Sequence, residues 1–249
     1  MMSPEGRRPA ARRSRLQPVP VDASPLEPSP RVRRSTRARR TRVTVDAAGV
    51  VEVVLPSRLP ARAAQDAVRE LRPWIDRRRS ELSAARRELA GAPGRIGYLG
   101  EDLDVIPEPG RSRVLRRGSA LLVPEQETEA ALEAWYRRRA RVEVTARLDA
   151  VCARVGSSYS GLTIRSQRTR WASCSSRDAM SFNWKLLLAP AAVLDYVVEH
   201  EVCHLEVRDH SARFWGLLES RMPGWRTQSD WLRRYGPLLS LDSALRSAS

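Results

Sequence analysis

All three histidines of this chain lie within eleven residues, in the segment H200-E-V-C-H-L-E-V-R-D-H210. The first two, His200 and His204, frame an HExxH motif. Residues four apart on an α-helix share one face and lie roughly 6 Å apart along the axis, so two such imidazoles can bind one metal ion. The segment therefore predicts a helix that presents a metal site, and it indicates a zinc hydrolase.

Two further residues complete the predicted site. Glu201 lies on the same helix beside the two ligands, where its carboxylate can act as a general base towards water. His210 follows six residues after His204, past the predicted end of the helix, and is the predicted third ligand. Three protein ligands leave one tetrahedral position to water, which is typical of a catalytic zinc site. Two alternatives stay open: a helix whose histidines are only hydrogen-bonded, and a metal site that has lost catalysis.

The first 42 residues differ in composition from the rest of the chain. They hold twelve arginines against three carboxylates, and seven prolines precede residue 31. Such a segment buries too little apolar surface to offset its ordering entropy, so a disordered tail is predicted over residues 1–42. A basic tail can hold phosphates, which makes weak contact with nucleic acid a further prediction. The competing interpretation is a general compositional bias, since the chain has one lysine, Lys185, against 43 arginines.

The cysteines and the apolar runs indicate the compartment. Cys152, Cys174 and Cys203 are odd in number and form no CxxC, as expected for reduced thiols in a cytoplasm. The sequence contains neither the apolar core of a secretory signal nor a run long enough to span a membrane. We therefore predict a cytoplasmic protein without a membrane partner.

The hydrophobic pattern divides the rest of the chain in two. A β-hairpin is predicted around D46-A-A-G49, followed by helical periodicity from Leu59 to Leu89 that Pro73 either bends or breaks into two helices. Short strands follow up to residue 123. Residues 43–124 are therefore predicted to form a small β-rich N-terminal module with a helix.

The second part, residues 125–249, is predicted to be the catalytic domain. A long helix runs to about Val155 and stops at Gly156, and a hairpin with a polar turn begins at Leu162. The HExxH helix is apolar on most of its circumference and should be buried, and Ser211 is placed to cap a further helix. The predicted fold class is α+β, with a zincin-like domain whose HExxH helix packs on a small antiparallel sheet.

Four linked motifs carry a family resemblance. They are R168-T-R-W-A-S-C-S-S176, the stretch Phe182 to Pro190, L194-D-Y-V-V-E-H-E-V-C-H-L205 and D209-H-S-A-R-F-W215. Their order and spacing resemble the YgjP-like metallopeptidases, zincins related to the SprT-like proteases. The resemblance implies a Zn²⁺-dependent peptidase acting on peptide or protein substrates, with metal ligands His200, His204 and His210 and with Glu201 as catalytic base.

The chain departs from the family pattern at two positions that are neither ligand nor base. Ala172 stands where the family usually has Gly, and Asp209 stands where it usually has Asn. The metzincin pattern does not fit, because Val207 occupies the position at which that motif requires Gly.

Several residues are candidates for supporting roles. Arg168, Arg170 and Asn183 could stabilise an oxyanion, although Arg170 and Asn183 could equally hold the hairpin together. Carboxylates that could orient the imidazoles are Asp195, Glu199 and Asp209, and the tryptophans predicted to pack in the core are Trp171, Trp184 and Trp215. Two alternative functions are a DNA-associated SprT-like protease tethered by the basic tail, and a noncatalytic zinc-binding scaffold.

Overall fold

A computed structural model of the chain describes residues 28–167, 170–241 and 245, so most of the predicted tail lies outside the described residues. The fold is mixed α+β. Residues 28–45 and 50–77 form one compact unit, and residues 46–49 with the described chain from residue 78 form the other. This division does not coincide with the predicted boundary at residue 124.

The first unit contains a three-stranded sheet. Its strands are β1 (Arg31–Ser35), β2 (Arg42–Val45) and β3 (Val51–Pro56), in the order β1-β3-β2. Strands β2 and β3 are antiparallel and confirm the predicted hairpin, whereas β1 pairs with β3 in parallel. Strand β1 lies inside the segment predicted to be disordered, and for these five residues that prediction is wrong. Its backbone groups bond to β3, and this pairing does not depend on apolar side chains.

Two helices follow the sheet, α1 (Arg62–Glu70) and α2 (Arg72–Leu89). The chain breaks between them at Leu71, two residues before Pro73. Proline has no backbone N–H and its ring clashes with the carbonyl four residues earlier, so one continuous helix through Pro73 is disfavoured. Of the two arrangements that the sequence allowed, the structure has two helices.

The second unit includes the part of α2 from residue 78, and a four-stranded sheet and a long helix follow it. The strands β4 (Arg95–Tyr98), β5 (Glu101–Pro107), β6 (Leu115–Arg117) and β7 (Ala120–Val123) have the order β4-β5-β7-β6. Helix α3 (Thr128–Val155) ends at Gly156, which adopts the left-handed conformation with φ of 68°, as the sequence predicted. The sheet and α3 belong to one hydrophobic core, which also includes the HExxH helix. The predicted boundary at residue 124 therefore does not separate two cores.

The sheet nearest to the motif is mixed, and the prediction of an antiparallel sheet is wrong. It consists of β8 (Gly161–Arg165), β9 (Ala172–Cys174) and β10 (Ala179–Asn183), in the order β8-β10-β9. Strands β9 and β10 form a hairpin, while β8 pairs in parallel with the other edge of β10. The chain reverses direction twice between β8 and β10, so these two strands run the same way.

A short 3₁₀ segment, Trp184–Leu188, leads into three further α-helices. Helix α4 (Ala191–Cys203) carries His200 and Glu201 and ends just before His204. Helix α5 (Ala212–Arg221) follows the third histidine, and α6 (Arg226–Tyr235) leads into a 3₁₀ turn over Gly236–Leu238. Ser211 occupies the predicted N-cap position of α5, although its side chain makes no capping hydrogen bond. Across the part of the chain that the structure describes, no helix combines the length and the apolar character that crossing a bilayer requires.

Two valines on α3 test the assignment of its buried face. Val144 is 1% exposed and Val142 is 55% exposed. Replacing Val144 by Ala removes two buried methyl groups and leaves a cavity, so the free energy of unfolding should fall by about 2 kcal/mol. The matched Val142→Ala variant should change it by less than about 0.5 kcal/mol. Chemical denaturation of both variants measures the difference, and equal losses would contradict this orientation of α3.

Candidate metal centre

Helix α4 is buried on nearly all sides. Its buried apolar residues include Val193, Leu194, Val197, Val198 and Val202. A helix that packs in every direction has a fixed rotation about its axis. The direction in which α4 presents its polar residues is therefore set by the core.

The three histidines converge at one end of α4. Each offers a ring nitrogen, and these atoms lie within 4.8 Å of one another. The Nε2 atoms of His200 and His210 are 3.1 Å apart, and the ring centroids of His204 and His210 are 4.7 Å apart. Two nitrogen ligands of one tetrahedral zinc ion are separated by roughly 3.3 Å, given zinc–nitrogen distances of about 2.0–2.1 Å. The donor set therefore fits a single metal ion.

The protonation of the imidazoles also suits a metal. Nδ1 of His204 lies 3.0 Å from the carbonyl oxygen of Val207. Because a carbonyl oxygen only accepts, Nδ1–H donates this hydrogen bond, and Nε2 keeps a lone pair for a metal ion. Burial, together with the charges of His204 and His210, lowers the pKa of His200 to about 3. Metal ligation requires neutral imidazole, and burial enforces that state at His200.

Glu201 is a buried carboxylate next to the histidines. Glu201 is 6% exposed. Its Oε2 atom has no hydrogen-bond partner among the residues that the structure describes. Burial raises the pKa of Glu201 to about 7, against the opposing effects of a hydrogen bond from the Cys174 backbone and the charge of Arg170. One oxygen of this carboxylate is thus buried without a hydrogen-bond partner among the described residues.

An aromatic wall lines the histidines. The Phe214 ring stacks on His204 with a centroid distance of 4.6 Å, and the Trp215 ring lies 5.5 Å from His210 and 6.1 Å from His200. Trp215 also stacks on Trp225 at 4.9 Å. Trp215 was predicted to pack in the core, and it is half-buried beside the candidate ligands. Its position in the first turn of α5, five residues after His210, was the available signal.

The carboxylates predicted to orient the imidazoles have other partners. Asp195 accepts a hydrogen bond from Arg147 at 2.7 Å, Glu199 pairs with Arg154, and Asp209 accepts the Ser211 N–H at 3.0 Å. Among the described contacts, the His204 imidazole instead has the backbone oxygen of Val207 as its hydrogen-bond partner. Backbone geometry of this kind is not visible in residue types.

The three oxyanion candidates differ in their surroundings. Asn183 is 3% exposed, its amide nitrogen donates to the Gln167 oxygen at 2.8 Å, and its amide oxygen accepts the Lys185 N–H at 3.1 Å. These bonds support the interpretation that Asn183 holds the hairpin region together. Arg170 is exposed and its charge acts on Glu201, and Arg168 lies outside the described residues.

The role of Asn183 can be measured through stability. Asn183→Ala leaves the Gln167 oxygen and the Lys185 N–H without their partner, which should lower the free energy of unfolding by about 1–3 kcal/mol. Asn183→Asp keeps the acceptor for Lys185 and loses the donor, so its thermal midpoint should differ from that of the alanine variant. A stable Asn183→Ala variant would contradict a structural role.

Comparison with known proteins gives distant structural matches. No curated protein matches this chain. The crystal structure of the metallopeptidase zymogen of Pyrococcus abyssi abylysin is 22% identical with a TM-score of 0.33, covering 36% of this chain and 90% of that chain. The metallopeptidase zymogen of Methanocaldococcus jannaschii jannalysin is 16% identical with a TM-score of 0.33, covering 38% of this chain and 96% of that chain. These values are too low to support a conclusion about this chain.

The family comparison covers most of the chain. The model described as YgjP-like, metallopeptidase domain matches residues 39–235. The matched range extends from just before β2 to the end of α6 and includes the histidine cluster and Glu201. This chain therefore belongs to the YgjP-like metallopeptidase domain family.

Proposed function

We propose that this protein is a zinc-dependent peptidase in which His200, His204 and His210 bind the metal and Glu201 is the general base. The observation that carries the proposal is the convergence of three ring nitrogens within 4.8 Å beside a buried carboxylate oxygen without a partner in the described structure. Membership of a metallopeptidase family supports peptides or proteins as the substrate class.

The chemistry divides between the metal and the chain. Zinc at this site would supply positive charge that acidifies a water ligand and polarises the substrate carbonyl. Glu201 accepts the proton of the attacking water on Oε2 and returns it to the leaving amine nitrogen. The burial of Glu201 on helix α4 limits the access of bulk water to this carboxylate.

The state of the thiols supports a reducing compartment. Cys152, Cys174 and Cys203 are free, and two of them are buried. Free thiols of this kind are usual in cytoplasmic proteins. We therefore keep the cytoplasm as the proposed location.

Variants of Glu201 and His204 separate metal binding from catalysis. Glu201→Gln should retain about one zinc per chain and lose peptide hydrolysis by at least about 100-fold, because the general base is removed. His204→Ala should lose the zinc itself. Metal content and hydrolysis of a peptide library by the purified variants measure both effects, with Glu219→Gln as a control carboxylate on α5.

The outcomes discriminate between the proposed functions. Full hydrolysis by Glu201→Gln would contradict the general-base role. Stoichiometric zinc without hydrolysis by the wild-type protein would favour the noncatalytic zinc-binding scaffold.

A second candidate function, contact with nucleic acid, rests on the first unit. Its described residues carry twelve arginines against four carboxylates. In the sheet, Val54 of the central strand β3 is paired with Arg33 of β1 on one side and with Arg42 of β2 on the other. The neighbouring carboxylate, Glu52, registers with Arg31 and already pairs with Arg33 at 3.2 Å.

This arrangement gives one sheet face an excess of positive charge. Arg31 and Arg42 are exposed, and neither forms an ion pair within the described part of the chain. Exposed arginines in rows bind phosphates and release the counterions of the nucleic acid. We propose that this face makes sequence-independent contacts with nucleic-acid backbones, which would place the peptidase near nucleic-acid-bound proteins.

Paired arginine variants test the location of this contact. Arg31→Ala with Arg42→Ala should weaken binding to duplex DNA and lower the slope of log K against log salt by about 2, one phosphate contact for each arginine. Arg62→Ala with Arg77→Ala removes the same charge from the helices of this unit and should leave the slope unchanged. Fluorescence anisotropy over a salt series measures both, and equal effects of the two pairs would show that net charge alone is responsible.

A further inference from the structure

Arg208 lies between the second and the third histidine of the cluster in the chain, and its side chain bonds to a different element. Its Nη1 donates to the carbonyl oxygen of Ser175 at 2.9 Å and lies 3.4 Å from Sγ of Cys174. Its Nη2 pairs with the carboxylate of Asp178. One guanidinium therefore connects the loop after α4 with the turn between β9 and β10.

That turn is a fixed anchor. The Ser175 hydroxyl accepts the N–H groups of Arg177 at 3.2 Å and Ala179 at 3.0 Å, and the Asp178 N–H donates to the Ser175 oxygen at 3.0 Å. Asp178 adopts the left-handed conformation with φ of 59°, and its carbonyl accepts the Ser160 N–H at 2.9 Å. The backbone on both sides of the Asp178 carboxylate is thus held by hydrogen bonds.

The loop that carries the third histidine is held mainly in its first half. Val207 is buried and its carbonyl oxygen contacts His204, and Glu206 pairs with Arg221 of α5. The following residues, Arg208, Asp209 and His210, are exposed. Among the described contacts, Arg208 is therefore the last side chain before His210 that ties this loop to the β9–β10 turn.

We propose that Arg208 is a positioning residue, which clamps the ligand loop to the β9–β10 turn and so holds His210 within reach of the metal bound by His200 and His204. This inference rests on the proposed function, because it takes the three histidines as ligands. Arg208 itself contacts no imidazole among the described interactions. The planar fork of arginine suits the carboxylate and the carbonyl together, whereas lysine offers a point charge.

The clamp should act on metal affinity rather than on folding. A free loop has to be ordered before His210 can bind, and this ordering opposes metal binding. Supporting residues around metal ligands typically change affinity by about 10- to 100-fold when they are replaced. The ion pair itself lies at the surface, where such pairs contribute little to stability.

The experiment measures the dissociation constant of Zn²⁺ by competition with a chromophoric chelator, together with the thermal midpoint of the metal-free protein. Arg208→Gln and Asp178→Asn should each weaken Zn²⁺ binding by about 10- to 100-fold with an unchanged metal-free midpoint. The matched control is Arg213→Gln, which removes an exposed arginine of α5 three residues after His210 and should bind Zn²⁺ as the wild type does. Arg208→Lys keeps the charge without the fork, so its loss should be smaller than that of Arg208→Gln.

A double-mutant cycle shows whether the clamp acts through His210. In a His210→Ala background the third ligand is absent, so Arg208→Gln should cause no additional loss of Zn²⁺ affinity. The same fold-loss in both backgrounds, or equal affinity of Arg208→Gln and the wild type, overturns the clamp and leaves the proposed function intact. A wild-type protein that binds no Zn²⁺ overturns the proposed function and the clamp together.

Discussion

The burial of α4 is the constraint on which the site depends. Apolar side chains surround this helix, and ion pairs to Arg147 and Arg154 of α3 hold it at Asp195 and Glu199. Its rotation is fixed by packing, so His200 and Glu201 have defined directions before any metal binds. The same burial disfavours charge, which lowers the pKa of His200 and raises that of Glu201. Packing thus sets both the geometry and the protonation of the site.

The third histidine is held by a different kind of structure. His200 belongs to a rigid helix, whereas His210 follows a loop whose course depends on the backbone oxygen of Val207 and the guanidinium of Arg208. Loops are the least stable parts of folded proteins, so their anchoring contacts decide how well a ligand is preorganised. Under the proposed function, the strength of metal binding depends in part on residues that do not contact the metal.

The arginine-rich character of the chain has different consequences in its two units. In the second unit many arginines pair with carboxylates and join elements, as Arg147 and Arg221 do. In the first unit the carboxylates are few, and arginines on β1 and β2 face outwards. Composition alone predicts that β1 belongs to a disordered segment. A prediction from side-chain types does not include the backbone hydrogen bonds that β1 forms with β3.

Local physics determined much of this protein from the sequence. The HExxH spacing, the hairpin around Gly49 and the helix end at Gly156 depend on residues close together in the chain, and the structure has each of them. Only the tertiary structure decided that β8 runs parallel to β10, that the Asn183 amide is occupied by Gln167, and that Arg208 reaches Asp178. These contacts join residues far apart in the chain. Local spacing and composition do not determine which distant segment a strand or a side chain will contact. The fold brings those partners together through the packing of its core.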